Sequence, residues 1–135
     1  MRWRNKQMQT SGPDEPFIEK RRDKRFPVPE ACKQDITLEV KHGGRFVPAT
    51  LANFSRKGIL FESPMPLEKG ARSECIIKIS LVLSREISFG INIMYCYSNG
   101  GSHIMGASID TISDQTWFDA FVEVHDLIVQ RQGSQ

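Results

Sequence analysis

From Asp35 to Ile109 the apolar residues recur with a period of two, and turn formers cut the pattern into short pieces. Ile36, Leu38 and Val40 alternate with polar residues; Gly43-Gly44 follows; Val47, Ala49 and Leu51 alternate again. Ile59-Leu60-Phe61 comes next, then Cys75, Ile77 and Ile79. The longest alternation runs through Ile87, Phe89, Ile91, Ile93, Tyr95 and Tyr97, and Met105, Ala107 and Ile109 return after Asn99-Gly100-Gly101. Successive side chains of an extended strand point to opposite faces, so each piece has one apolar face that must find a shared core. The intervening Pro64, Pro66, Gly70 and Asn-Gly-Gly segments permit tight connections. Six short, evenly spaced strands predict a mainly β fold, a small six-stranded antiparallel barrel over 35–110.

The period then changes. Trp117, Phe121, Val124 and Ile128 fall at i, i+4, i+7 and i+11, with Phe118 and Val122 beside them. That spacing predicts an amphipathic α-helix over 114–131, started by a Ser113-Asp114 cap, with its apolar face laid on the barrel.

The other end of the chain is polar and basic. Breakers at Ser11-Gly12-Pro13 and Glu15-Pro16 predict a flexible tail over 1–16, and 132–135 reads as a second tail. Residues 17–30 hold an arginine run and Phe26-Pro27-Val28-Pro29, an extended connector because two prolines oppose helix. Net charge is only +2, but eight cations precede Pro27, so the positive potential belongs to this segment. Three cysteines without a CxxC spacing favour reduced thiols and a cytoplasmic location. No apolar run approaches the roughly 18 residues of a membrane span, and the histidines have no metal-ligand spacing.

Two short motifs carry the chemistry. Arg21-Arg22-Asp23-Lys24-Arg25 contains Arg-x-x-x-Arg; Asn53-Phe54-Ser55-Arg56-Lys57-Gly58 reads Asn-x-Ser-x-x-Gly. Singly, the first reads as a solvated linker and the second as an Asx or Ser turn. Together, at strand boundaries, they describe a clamp for an anionic, guanine-bearing ligand. A guanidinium can grip a phosphate bidentately, donate to O6 and N7 of guanine, or lie flat on a base. Asn53 and Ser55 offer small donors and acceptors, and share a face opposite Phe54 if Phe54 turns inward. Gly58 would permit positive φ or a close backbone approach.

On these motifs the chain resembles the PilZ domain family from about Glu19 to Val129. The opening Arg21–Val28 is similar to the family's first segment, and Gly106-Ala107-Ser108-Ile109 to its last strand, with Ile109 in place of an aromatic residue. Two departures stand out: Asn53 for the commoner Asp, and no tryptophan in the strand at Met94-Tyr95-Cys96-Tyr97. The resemblance implies a PilZ-type six-stranded barrel with a C-terminal helix, spanning 17–131, and a stand-alone bacterial receptor for cyclic di-GMP. It implies that Arg21 and Arg25 hold phosphates and guanine faces, that Asn53 and Ser55 contact guanine, and that Gly58 shapes the turn. Arg22 adds a phosphate or stacking contact; Lys20, Arg56 and Lys57 are secondary candidates. In the family the residue before the first motif arginine influences ligand stoichiometry, and the cation Lys20 favours a stacked ligand dimer.

The expected mechanism is that ligand orders the N-terminal segment and so alters a surface for an effector protein, in motility, biofilm or exopolysaccharide control. No metal, cofactor, nucleic acid or membrane insertion is expected. The rival readings are a protein-only PilZ-like adaptor and a single-strand-binding barrel, the latter disfavoured because Phe61, Phe89, Tyr95 and Tyr97 are in phase with the core. Catalysis lacks a recognisable nucleophile–base pair or paired carboxylates in the sequence.

Overall fold

The computed structural model describes residues 24–80 and 84–133. The tail 1–16, Lys20, Arg21 and Arg22 lie outside the described residues. Among the described residues seven strands, β1 (Phe26–Pro27), β2 (Ile36–His42), β3 (Arg45–Phe54), β4 (Gly58–Ser63), β5 (Arg72–Ser80), β6 (Ser84–Asn99) and β7 (Ser102–Ile109), precede one α-helix, α1 (Asp114–Gly133).

Alternation translates directly into burial. In β2, Ile36, Leu38, Val40 and His42 face inward; in β5, Cys75, Ile77 and Ile79 do so. All pairings are antiparallel, in the order β3-β2-β5-β6-β7-β4, and β4 pairs back onto β3 to close the barrel. Closure leaves these six strands no free edge. Strand β1 is an addition: Phe26 and Pro27 pair with Phe54 and Asn53, on the edge of β3 that β2 no longer covers. Gly43 and Gly44 turn the β2–β3 hairpin at φ 55 and 88, values a side chain resists.

Helix α1 buries Trp117, Ala120, Val124, Leu127 and Ile128, mainly against β6. Each such fully buried apolar side chain contributes roughly 1.5–3 kcal/mol. Ion pairs Arg85–Glu123 and Arg131–Asp35 tie the helix to the barrel. The cap differs from the expected one. A 3-10 turn over Thr111–Ser113 precedes the helix, Asp110 accepts from Ile112 N, and Ser113 Oγ accepts from Gly90 N. Phe118 and Val122 are each 39% exposed, so the apolar stripe is only partly covered.

Two bulges break the period of two. One lies between Leu51 and Asn53 of β3, the other between Ile93 and Tyr95 of β6. A bulge inserts one unpaired residue and reverses the phase of everything beyond it. Leu51 and Phe54 therefore both face the core, although three residues apart. In β6, inward phase passes from Ile93 to Cys96, and Met94, Tyr95 and Tyr97 are 54%, 43% and 56% exposed. The expectation that Tyr95 and Tyr97 lie in phase with the core is thus overturned; Phe61 and Phe89 are buried as expected.

Candidate functional site

The turn between β3 and β4 is built by its own residues. Ser55 N donates to Gly58 O at 2.9 Å, Ser55 Oγ donates to the same oxygen at 3.5 Å, and Lys57 N donates to Ser55 Oγ at 3.3 Å. Ser55 is buried, not sharing an outer face with Asn53, because the chain curls as it leaves β3. From below, Trp117 Nε1 donates to Ser55 O at 3.1 Å. Trp117 is itself fully buried against Phe89. The turn therefore rests on the helix through a buried hydrogen bond.

Gly58 is needed for a reason different from the one anticipated. It is not among the positive-φ glycines. A Cβ there would meet Ala107 O at 2.6 Å, inside the β4–β7 pairing. The close approach is to the protein's own backbone.

Arg25, Ser55, Lys57 and Gly58 line one cavity of about 220 Å³, with Met94, Tyr95, Gly106 and Ser108. Arg25 Nη1 donates to Asn53 Oδ1 at 3.4 Å, which joins Asn53 to the group. Arg56 sits on the same turn but lies over the Phe118 ring at 5.4 Å. Of the nine sequence candidates, six are thus gathered at one turn, while Lys20, Arg21 and Arg22 fall outside the described residues.

Tyr95 was missed. Its ring lies on Gly106, where a Cβ would come within 2.4 Å of it, so the glycine is the floor on which the tyrosine rests. The signal was present in Gly106, but using it requires the cross-strand register Tyr95↔Gly106, which the bulge sets. Tyr95 and Tyr97 stack at 6.1 Å and 16°.

Charge distinguishes this cavity. Its lining has no carboxylate, and Arg25, Arg56 and Lys57 form no ion pair among the described residues. A larger cavity, about 740 Å³, shares none of these lining residues and includes Lys41, Arg72, Glu74, Asp110 and Ile112. There Arg72 is paired with Asp110, and Lys41 with Glu74 at 3.9 Å. The Ile112 N–H and then the Arg72 guanidinium hold the Asp110 carboxyl below the usual carboxylate range. The larger space is electrostatically closed; the smaller one is cationic and open.

Among the described residues one contact pairs a serine with a histidine. Ser63 Oγ lies 3.2 Å from His42 Nε2. Both residues are buried, at 1% and 6% exposure, and Ser63 Oγ also accepts from Met65 N. Burial lowers the His42 pKa, which keeps the ring neutral. The pair joins β2 to the end of β4 inside the barrel. Among the described residues no group of three or more His, Cys, Asp or Glu is placed to hold a metal, and no helix is long and apolar enough to cross a membrane.

The family model of the PilZ domain matches residues 19–123. The fold is similar to the PilZ domain of YcgR from Escherichia coli with cyclic di-GMP, at 13% identity and a TM-score of 0.56, over 83% of this chain and 97% of that one. It is also similar to the K. pneumonia MrkH–cyclic di-GMP complex, at 14% identity and a TM-score of 0.63, over 85% of this chain and 54% of that one. A third likeness is the Bacillus subtilis inhibitor of motility MotI, at 12% identity and a TM-score of 0.56, over 85% of this chain and 52% of that one. The chain spans about half the length of MrkH and MotI. A search of curated proteins finds no match.

Proposed function

This chain belongs to the PilZ domain family, and on that premise we propose that it is a receptor for cyclic di-GMP whose site is the β3–β4 turn. One observation carries the reading: Arg25, Ser55, Lys57 and Gly58 surround a cavity that holds cations, an aromatic wall and no acid. A dianionic dinucleotide with two flat bases needs those three properties. The Arg25 fork would take a phosphate or a guanine edge, Asn53 a guanine edge, and the exposed part of the Tyr95 ring a base.

Size explains why the arginine segment is needed. Enclosed sites for drug-sized ligands occupy roughly 300–1,000 Å³. A cavity of about 220 Å³ seats part of a cyclic dinucleotide and leaves the rest exposed. Arg21 and Arg22, four and three residues ahead of Arg25, are within reach to cover that remainder. Ligand binding then draws residues 17–25 onto the turn, and the repositioned segment presents a changed surface to an effector protein. A PilZ domain acts as a receptor and not as an enzyme, and the residues here bind without offering a reacting group.

Titration calorimetry with cyclic di-GMP tests the reading. Binding at micromolar ligand with a ratio of one or two per chain is expected. Absence of heat from the folded chain at tens of micromolar ligand would remove it. The outward stack of Tyr95 and Tyr97 beside unpaired cations also fits single-strand binding, in which bases stack on exposed aromatics. A gel shift with single-stranded DNA or RNA at moderate salt separates the two readings; no shift is expected.

A further inference from the structure

Arg25 owes its place to the residue that follows it. Strand β1 is only two residues long, and its Pro27 has no N–H to donate. Just beyond it, Val28 N donates to Ala52 O at 2.9 Å. Each such bond contributes little on balance, so side chains must fix where this segment lies.

Phe26 is the side chain that does so. Its ring meets Phe54 at 5.6 Å, Phe121 at 5.8 Å and His125 at 4.9 Å, the last two edge-on. Lys24 Nζ lies over the same ring at 5.5 Å. Phe121 and His125 are one turn apart on α1 and stack on each other at 6.1 Å and 22°. Rings at these separations attract beyond the apolar area that they cover. Phe26 therefore sits in a socket with one wall on β3 and the other on α1. Neighbouring residues of an extended segment point to opposite sides. With the Phe26 ring turned to the helix, Arg25 is directed the other way. There its Nη1 donates to Asn53 Oδ1 at 3.4 Å, and it lines the cavity.

The wall on α1 is the informative one. Phe54 is fully buried in the barrel core. Phe121 is only partly buried, and the His125 side chain is 37% exposed. Both stand at the margin of the face that Trp117, Ala120, Val124 and Leu127 bury. A guanidinium aimed by a fixed neighbour starts in its binding position. One on a loose strap must be ordered as it binds, and apparent affinity falls with the fraction of time spent in that position.

We propose that Phe26 is the positioning residue of Arg25, held from α1 by Phe121 and His125, so that the C-terminal helix sets the affinity of the cavity for its anion. This rests on the cyclic di-GMP reading and adds to it the element that tunes the site. Helix α1 then reaches both halves of the clamp: Trp117 grips the Ser55 carbonyl, and His125 acts on Arg25 through Phe26. What His125 contributes is a ring, so phenylalanine can take its place.

The test is calorimetry with cyclic di-GMP on the full chain, with thermal midpoints measured alongside. Phe26→Ala is expected to weaken binding about tenfold, which corresponds to a binding position occupied about a tenth of the time. His125→Ser is expected to weaken it about threefold, because two rings of the socket remain. His125→Phe is expected to keep wild-type affinity. In an Arg25→Ala background both losses are expected to vanish, since no guanidinium is left to aim. A support of the fold alone would lower the midpoint and leave affinity unchanged, and that result overturns the positioning. Losses of equal size with and without Arg25 also overturn it, because the rings then act elsewhere. If Arg25→Ala weakens binding while Phe26→Ala and His125→Ser do not, the positioning fails and the ligand reading stands. If the wild-type chain gives no heat, both fall.

Discussion

Two cavities of this barrel, the one beside Arg72 and the one beside Arg25, both contain cations and treat them oppositely. At the larger one, Arg72 meets Asp110 and Lys41 meets Glu74, so the cations are neutralised within the fold. At the smaller one, Arg25 and Lys57 line a space with no acid, and Arg56 stands on the same turn. Like charges left together cost free energy unless solvent or a ligand offsets them. Volume alone would point to the cavity beside Arg72; the state of pairing of each charge favours the proposed one beside Arg25.

That contrast can be broken in several ways. The largest effect should come from Trp117→Ala, which empties the core beneath the ligand turn and strands the Ser55 carbonyl. A loss of about 3–5 kcal/mol is expected, read as a lowered denaturation midpoint. A loss under 1 kcal/mol would mean that the helix does not support the turn. Arg25→Ala should follow, weakening cyclic di-GMP by about 1.5–3 kcal/mol with little change in thermal stability. Arg72→Ala, at the paired cavity, should leave ligand affinity unchanged; equal losses at the two arginines would erase the distinction between the cavities. Tyr95→Ala should cost about 1 kcal/mol of ligand binding, near the low end for base stacking, because one face of the ring is already spent on Gly106.

The smallest effect concerns pH. Burial depresses the His42 pKa below its usual 6.5. The unfolded chain then binds a proton more readily than the folded one, so this contribution to stability is full above about pH 6.5 and is lost as pH falls towards the depressed folded value. Denaturation midpoints should drop below pH 6.5 in the wild type and drop less in His42→Asn. Ligand affinity, set by arginines, lysine and neutral groups, should change little over the same range.

Where the sequence was legible, a single physical rule sufficed. Ile36–Val40 and Cys75–Ile79 alternate, and they are strands with those residues inward. The Asn-x-Ser-x-x-Gly segment is a tight turn, and its closing glycine is required by steric contact. What escaped was phase. A bulge leaves no residue signature, because its cause is the register of a partner strand far away in sequence. Ile87–Ile93 reads correctly up to its bulge and wrongly after it, whereas past the bulge of β3 Phe54 turns inward as supposed and only Ser55 departs, where the strand ends. Ser55 and Tyr95 both line the candidate cavity. The cap residue Asp110 was missed for a related reason: the 3-10 turn that it starts has no period of its own.

The indole of Trp117 has a further use. It is sealed from solvent, lies against Phe89 and grips the carbonyl of Ser55, so its emission should be blue-shifted and sensitive to any movement of that carbonyl. The only other tryptophan is Trp3. Replacing Trp3 with phenylalanine leaves a single native tryptophan wired to the proposed ligand turn, an optical gauge that needs no added dye.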